Sequence, residues 1–148
     1  MKYFKNIFLV IILLIFNGEV QADSIKVPVV PKPKSVIKRS GRFEMKPQQT
    51  EIQWSVPDTN RLTVAMRQLA EAFGMDAVNS SESKMKIWLG LPEVDAEFDQ
   101  LCEKKKVELS NEIGNEGYVL LIDKKNIIVR ARKKAGLFYG VQTLRQLV

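Results

Sequence analysis

The chain has 148 residues and no histidine. This excludes histidine-dependent catalytic triads and most zinc and iron sites, because imidazole is the commonest general base and metal ligand. The single cysteine, Cys102, excludes an internal disulfide and a thiolate cluster, and we expect it to be buried as a small hydrophobic residue. Hydrophobic residues make up 45% and charged residues 27% of the chain, with a formal net charge of +6. These values are typical of one folded, mildly basic domain, and we predict neither a cofactor nor a metal.

Residues 1–22 have the three-part pattern of a secretory signal peptide. Lys2 and Lys5 precede an uninterrupted apolar run at residues 7–16, and Ala22 ends a short-side-chain cleavage motif. The apolar run is too short to cross a bilayer, which needs roughly 20 apolar residues. The pattern predicts export to the periplasm or exterior of a bacterial cell. We expect cleavage after Ala22 and no stable membrane span afterwards.

The next part of the chain opens with a proline-rich lead-in at residues 23–34, where the prolines favour an extended backbone. Hydrophobic patterning then predicts short strands within residues 35–54. A helix is predicted to begin at Asp58, which can cap its first turn, and to end at Gly74. The apolar run at residues 86–90 predicts a buried strand.

In the second half, charge and periodicity predict three further elements. Acidic residues at 93–99 and lysines at 104–106 indicate a surface helix with acids in its first turn and bases in its last. Residues 117–123 and 126–132 are rich in aliphatic side chains and predict a β-hairpin. From residue 133 onward, one apolar stripe predicts a helix that runs to the last residue.

Three segments far apart in the sequence stand out together. They are VVPKPK at residues 29–34, NEGYVL at residues 115–120 and AGLFYGVQTLRQL at residues 135–147. Together they resemble the accessory domain that precedes the catalytic barrel in glycoside hydrolase family 20, the β-N-acetylhexosaminidases. The last segment is the most specific, because its small-aromatic-aromatic-Gly pattern and its Gln-Thr-Leu-x-Gln-Leu run are improbable together by chance.

The resemblance spans essentially the whole mature chain and implies a fold. Residues 35–148 are expected to form the family's α+β accessory domain, an antiparallel sheet with two main helices packed on one face. The order of strands and helices derived above agrees with this architecture.

The resemblance also implies where the chemistry lies. Family 20 enzymes remove terminal N-acetylhexosamine residues with the substrate's own 2-acetamido group as nucleophile, and their catalytic residues lie in a (β/α)₈ barrel. Val148 precedes every such position, so we assign no catalytic residue, expect the barrel to be absent from these residues and expect the chain to be inactive alone. The implied role is to stabilise and dock that barrel, its expected partner.

The final helix supplies the candidate docking residues. Two glycines four residues apart leave one face without side chains, so that another backbone can approach closely, and aromatic and polar residues lie beside them. The candidates are Gly136, Phe138, Tyr139, Gly140, Gln142 and Arg145. The alternative is that the glycines serve a loop-to-helix junction and the aromatics are ordinary core. A docking face left uncovered also predicts self-association of the isolated domain.

Two other functions compete with this hypothesis. A stand-alone exported carbohydrate-binding or interaction module would use Trp54, Trp88 and Tyr118 for stacking on sugars, although both tryptophans lie in apolar strand patterns that favour the core. A small hydrolase in its own right is disfavoured by the missing histidine and barrel.

The remaining motifs favour structure over function. The basic clusters at residues 104–106, 124–125 and 130–134 are expected to be solvated surface, and no nucleic-acid partner is predicted, because no stacking aromatics alternate with them. The acids at 93–99 lack the glycine and closing glutamate of a calcium loop. Asn79 opens an N-glycosylation pattern, which we discount for a bacterial protein.

Overall fold

The computed structural model describes residues 29–37, 43–75 and 83–147. The predicted signal peptide, the first part of the lead-in and Asn79 lie outside these ranges. The described strands are β1 (Thr50–Ser55), β2 (Met85–Gly90), β3 (Tyr118–Ile122) and β4 (Asn126–Ala131), and the α-helices are α1 (Thr63–Ala72), α2 (Ala96–Lys105) and α3 (Lys134–Arg145).

The four strands form one mixed sheet in the order β1-β2-β4-β3. The β1–β2 and β2–β4 pairs are parallel, and the β3–β4 pair is antiparallel. The predicted antiparallel sheet is therefore wrong for two of the three pairings. The reason is that β1 and β2 are joined by a helical crossover through α1, and such a connection makes neighbouring strands parallel. The tight β3–β4 connection gives the predicted hairpin.

The first face of the sheet carries α1 and α3, so two helices share a face as predicted. Alternate residues of the central strands point to this side, as the two-residue period of a strand requires. We call the resulting cluster the main core. Its buried members are Leu62, Ala65, Leu69, Phe73, Ile87, Leu89, Ile127, Val129, Ala131, Leu137, Val141 and Leu144.

The opposite face of the sheet is covered by α2, a layer that the predicted fold lacked. Its smaller core contains Trp88, Phe98, Cys102, Val107, Leu121 and Ile128. Gly90 makes room for this helix, since a Cβ there would lie 2.5 Å from Phe98 Cε1. Cys102 is buried as predicted, and burial raises the pKa of its thiol to about 11.

The ends of α2 agree with the charge pattern. Asp95 caps its first turn, where Oδ1 accepts from the backbone N–H of Glu97 at 2.8 Å and of Phe98 at 3.3 Å. Lysines occupy the last turn, and Lys106 ends the helix in the left-handed region with φ 56°. The predicted surface helix is therefore confirmed, with one side buried.

The beginning of α1 differs from the prediction. Asp58 accepts from the backbone N–H of Asn60 at 2.9 Å and opens the 3₁₀ turn Asn60–Leu62, so that α1 begins only at Thr63. The predicted end is nearly correct, because Gly74, with φ +60°, follows Ala72 closely. Residues 43–46 form none of the predicted strand, and Phe43 packs against the main core.

Two findings concern the described ranges as a whole. None of their helices is long and apolar enough to cross a membrane. They also contain no group of three or more His, Cys, Asp or Glu side chains placed to hold a metal ion.

Candidate functional site

The candidate docking residues lie on α3, which has an inner face toward the sheet and an outer face away from it. The helical period separates the two faces, since residues three or four apart share a side. The inner face carries the buried Leu137, Val141 and Leu144. The outer face carries Phe138, Tyr139, Gln142 and Arg145.

Gly136 and Gly140 belong to the inner face. A Cβ on Gly136 would lie 2.3 Å from the carbonyl oxygen of Gly117, and one on Gly140 would lie 2.4 Å from Val129 Cγ1. The close approach that the glycine spacing predicted is therefore made by the chain's own β3–β4 hairpin. Both glycines are buried, so only the other four predicted residues lie on the outer face.

Phe138 and Tyr139 form an aromatic pair on the outer surface. Their ring centroids lie 5.8 Å apart at an interplanar angle of 76°, an edge-to-face arrangement. Phe138 is 37% exposed and Tyr139 is 43% exposed, so neither is an ordinary core residue. The outer face thus presents two adjacent aromatic rings to solvent.

A polar cluster joins the outer face of α3 to α1. Arg145 Nη1 donates to Gln142 Oε1 at 2.8 Å and to Gln68 Oε1 at 3.2 Å, and Gln142 Nε2 donates to Gln68 Oε1 at 3.0 Å. Arg145 is half-buried, and its buried Nε has no hydrogen-bond partner. Both helices therefore hold this guanidinium in a fixed position.

Gln146, one residue further along, fixes the lead-in to the end of α3. Its side-chain amide accepts from Val30 N at 2.9 Å and donates to Val30 O at 3.1 Å. Val29 beside it is only 3% exposed. Sequence reasoning missed Gln146 and Gln68 as structural partners of the helix, although Gln146 lies in the most specific of the resembling segments.

All three segments that carry the family resemblance meet at α3. The first is held by Gln146, as described above. The second contributes Gly117 at the close contact and Tyr118, whose hydroxyl hydrogen-bonds to the Thr143 hydroxyl. The third is α3 itself. Residues distant in sequence thus converge on one helix and seat it against the sheet.

The residues proposed for sugar stacking point inward. Trp88 is 2% exposed beneath α2, and Trp54 is half-buried and packs against the main core. Tyr118 is also half-buried and packs there. None of the three offers an open ring face comparable to that of the Phe138–Tyr139 pair.

The basic clusters are partly used in local contacts. Arg130 Nη2 donates to Asp99 Oδ1 at 3.0 Å, and its Nη1 donates to Val107 O at 2.8 Å. Arg132 donates to Ser110 O at 3.0 Å. Beside α2 a surface cavity of about 480 Å³ is lined in part by Arg130 and Asp99, whose charges neutralise each other. These contacts favour a structural role over phosphate binding.

A comparison with protein-family models gives the chain's family. Residues 26–148 match the model described as glycosyl hydrolase family 20, domain 2. This match covers most of the chain, includes all three resembling segments and confirms the resemblance seen in the sequence. The chain therefore belongs to the domain 2 family of the family 20 glycosyl hydrolases, the accessory domain of the β-N-acetylhexosaminidases.

Proposed function

We propose that this chain is the non-catalytic domain that stabilises and positions the catalytic barrel of an exported β-N-acetylhexosaminidase. Such an enzyme acts on terminal N-acetylhexosamine residues. One observation carries the proposal: the outer face of α3 presents the open Phe138–Tyr139 pair on a helix whose inner face is sealed to its own sheet. Exposed aromatic area beside an ordered arginine is typical of protein interfaces.

The rigidity of α3 supports a docking role. Its inner face is seated by the contacts of Gly136 and Gly140, and its last turn is tied to the lead-in through Gln146. A surface that is already ordered loses less conformational entropy when a partner binds. The outer face is therefore suited to fix the orientation of a neighbouring domain.

The chemistry of the described residues supports a non-catalytic role. Histidine is absent from the sequence. Asp95 caps α2, Asp99 pairs with Arg130, and Asp123 pairs with Lys105 at 2.6 Å. These three carboxylates have local structural roles, and we propose that hydrolysis depends on residues outside this domain.

The proposal is tested by comparing two preparations of the same antigen. An antibody raised against the purified chain is used to capture the native polypeptide from its source cells under non-denaturing conditions. Both the captured antigen and the purified chain are then assayed with an aryl N-acetyl-β-glucosaminide. We expect turnover by the captured antigen and none by the purified chain. Captured antigen without turnover would contradict the proposal.

The matched control uses the same captured antigen with an aryl β-glucoside, which lacks the 2-acetamido group. Because family 20 enzymes use that group as the nucleophile, we expect no turnover of the glucoside. Equal turnover of both substrates would indicate a different glycosidase in the captured material and would contradict the proposed activity.

A further inference from the structure

Arg145 carries a positive charge that the described part of the chain does not neutralise. Arg67 pairs with Glu71 and Arg130 pairs with Asp99, but no ion pair within the described ranges includes Arg145. Its partners there are instead the two side-chain carbonyl oxygens of Gln142 and Gln68. Amide oxygens satisfy donors without cancelling the charge.

The amides hold the guanidinium in place. Gln142 also donates to Gln68, so that the three side chains form a closed cluster between α1 and α3. Both bonds from Arg145 use Nη1, and the buried Nε makes none. Within the described ranges Nη2 is therefore the donor nitrogen left for a partner, since Nη1 is used and the buried Nε is not accessible.

The segments that meet at the end of α3 carry more basic than acidic residues, and the one acid of α1, Glu71, is paired with Arg67. The helix Lys134–Arg145 contains no acidic residue. The lead-in held by Gln146 adds Lys32 and Lys34, both exposed, and residues 29–37 contain no acid. This surface attracts negative charge and disfavours a basic partner, because complementary potentials steer association and like charges oppose it.

We propose that Arg145 is a preorganised anchor for an aspartate or glutamate carboxylate on the protein surface that docks on the outer face of α3. The inference rests on the proposed function and adds the chemistry of the partner. A guanidinium forms strong, directional hydrogen bonds to a carboxylate. The hydrogen bonds to Gln142 and Gln68 hold the Arg145 guanidinium in one orientation. Phe138 and Tyr139, about two turns earlier on α3, would contact an apolar patch of the same partner.

The test uses acetate as a minimal carboxylate on the purified full chain. The side-chain N–H signals of ¹⁵N-labelled arginine are followed by NMR during titration with sodium acetate at constant ionic strength, and acetamide is the neutral control. We expect a saturable shift of the Arg145 signal with acetate and none with acetamide. A shift that does not saturate, or that acetamide reproduces, would overturn the proposal.

Two variants separate Arg145 from arginines in general. In the variants, binding is followed by the side-chain amide signal of ¹⁵N-labelled Gln142, the contact of Arg145, because R145Q has no Arg145 signal. R145Q is expected to bind acetate at least about tenfold more weakly, the factor for losing one charge-assisted hydrogen bond. R67Q is expected to bind as the wild type does, because Arg67 is already paired with Glu71 at 3.8 Å. Unchanged binding by R145Q, or an equal loss in both variants, would refute the assignment.

R145K covers the case in which R145Q does not fold. Lysine keeps the charge without the planar fork, so we expect R145K to bind acetate more weakly than the wild type does. Undiminished binding by R145K would contradict the role of the oriented guanidinium.

The two proposals can also fail separately. Saturable acetate binding together with an inactive captured antigen would remove the proposed function and leave the carboxylate site standing.

Discussion

The inner and outer faces of α3 differ in their exposure to solvent and in their packing against the sheet. Leu137, Val141 and Leu144 on the inner face are at most 1% exposed, and the helix lies close to the sheet because two inner positions are glycine. On the outer face, Phe138 and Tyr139 remain open to solvent. Under the proposed function, folding and docking depend on opposite sides of one helix, so mutations should separate them.

The largest expected effect comes from adjacent residues on opposite faces. Leu137→Ala should lower the free energy of unfolding by about 2–5 kcal/mol, because it leaves a cavity in the main core. Phe138→Ala should lower it by less than about 1 kcal/mol, since the ring is already 37% exposed. Urea denaturation of both variants measures the difference, and similar losses would break the distinction between the faces.

Gly136→Ala should give the next largest effect. The added Cβ would lie 2.3 Å from the Gly117 carbonyl oxygen, and backbone on both sides has little room to move. We expect a loss of about 1–3 kcal/mol in the free energy of unfolding, as for other overpacked sites. The control is Ala135→Gly at the exposed neighbour, which should cost at most about 1 kcal/mol through helix propensity. A Gly136→Ala variant more stable than the wild type would refute the close contact.

The outer face should instead control association. We expect the isolated chain to self-associate through its exposed aromatics, and Tyr139→Ser to weaken that association about tenfold, or about 1.4 kcal/mol, with little change in stability. Ile122→Ser is the matched control, because Ile122 is 39% exposed on the edge strand β3. Sedimentation over a range of concentrations measures both variants. A wild-type chain that stays monomeric would contradict this expectation.

The smallest effect concerns pH and lies away from α3. Burial raises the pKa of the Asp123 carboxyl, but hydrogen bonds from Lys105 Nζ and from the backbone of Lys125 and Asn126 outweigh it, so the pKa lies below 3.8. A lowered pKa in the folded state gives stability that is present above about pH 4 and is lost as the pH falls through the folded value.

Asp123→Asn should therefore flatten part of the fall in unfolding free energy between about pH 5 and pH 2, measured by urea denaturation at each pH. The variant should leave the association through Tyr139 unchanged, because Asp123 pairs with Lys105 of α2, on the opposite face of the sheet from α3. An identical pH dependence in variant and wild type would contradict the stabilising contacts of Asp123.

Local patterns predicted the elements whose causes are local. The β3–β4 hairpin, the charged ends of α2 and the apolar stripe of α3 each depend on neighbouring residues, and all three are present. The end of α3 was predicted too late, because the helix ends at Arg145 and not at the last residue. The relative direction of neighbouring strands could not be predicted in this way. Alternation in β1 and β2 shows which side chains share a face, but it is the same for parallel and antiparallel pairs, so it could not give the parallel pairing.

The same distinction between local patterns and tertiary packing applies to the candidate site. The aromatic and polar residues of the outer face could be read from helical spacing in α3. The partner of the two glycines could not, because the hairpin that fills the space is placed by tertiary folding. Gln68 was missed because it lies 77 residues from Arg145 in sequence, and only the packing of α1 beside α3 brings the two together.

If this domain works as part of a larger glycosidase, as proposed, the native polypeptide in its source cells should be much larger than the chain described. An immunoblot with the antibody against the purified chain measures that mass. We expect a band several times larger than the 148-residue chain. A band no larger than that chain would contradict the proposal.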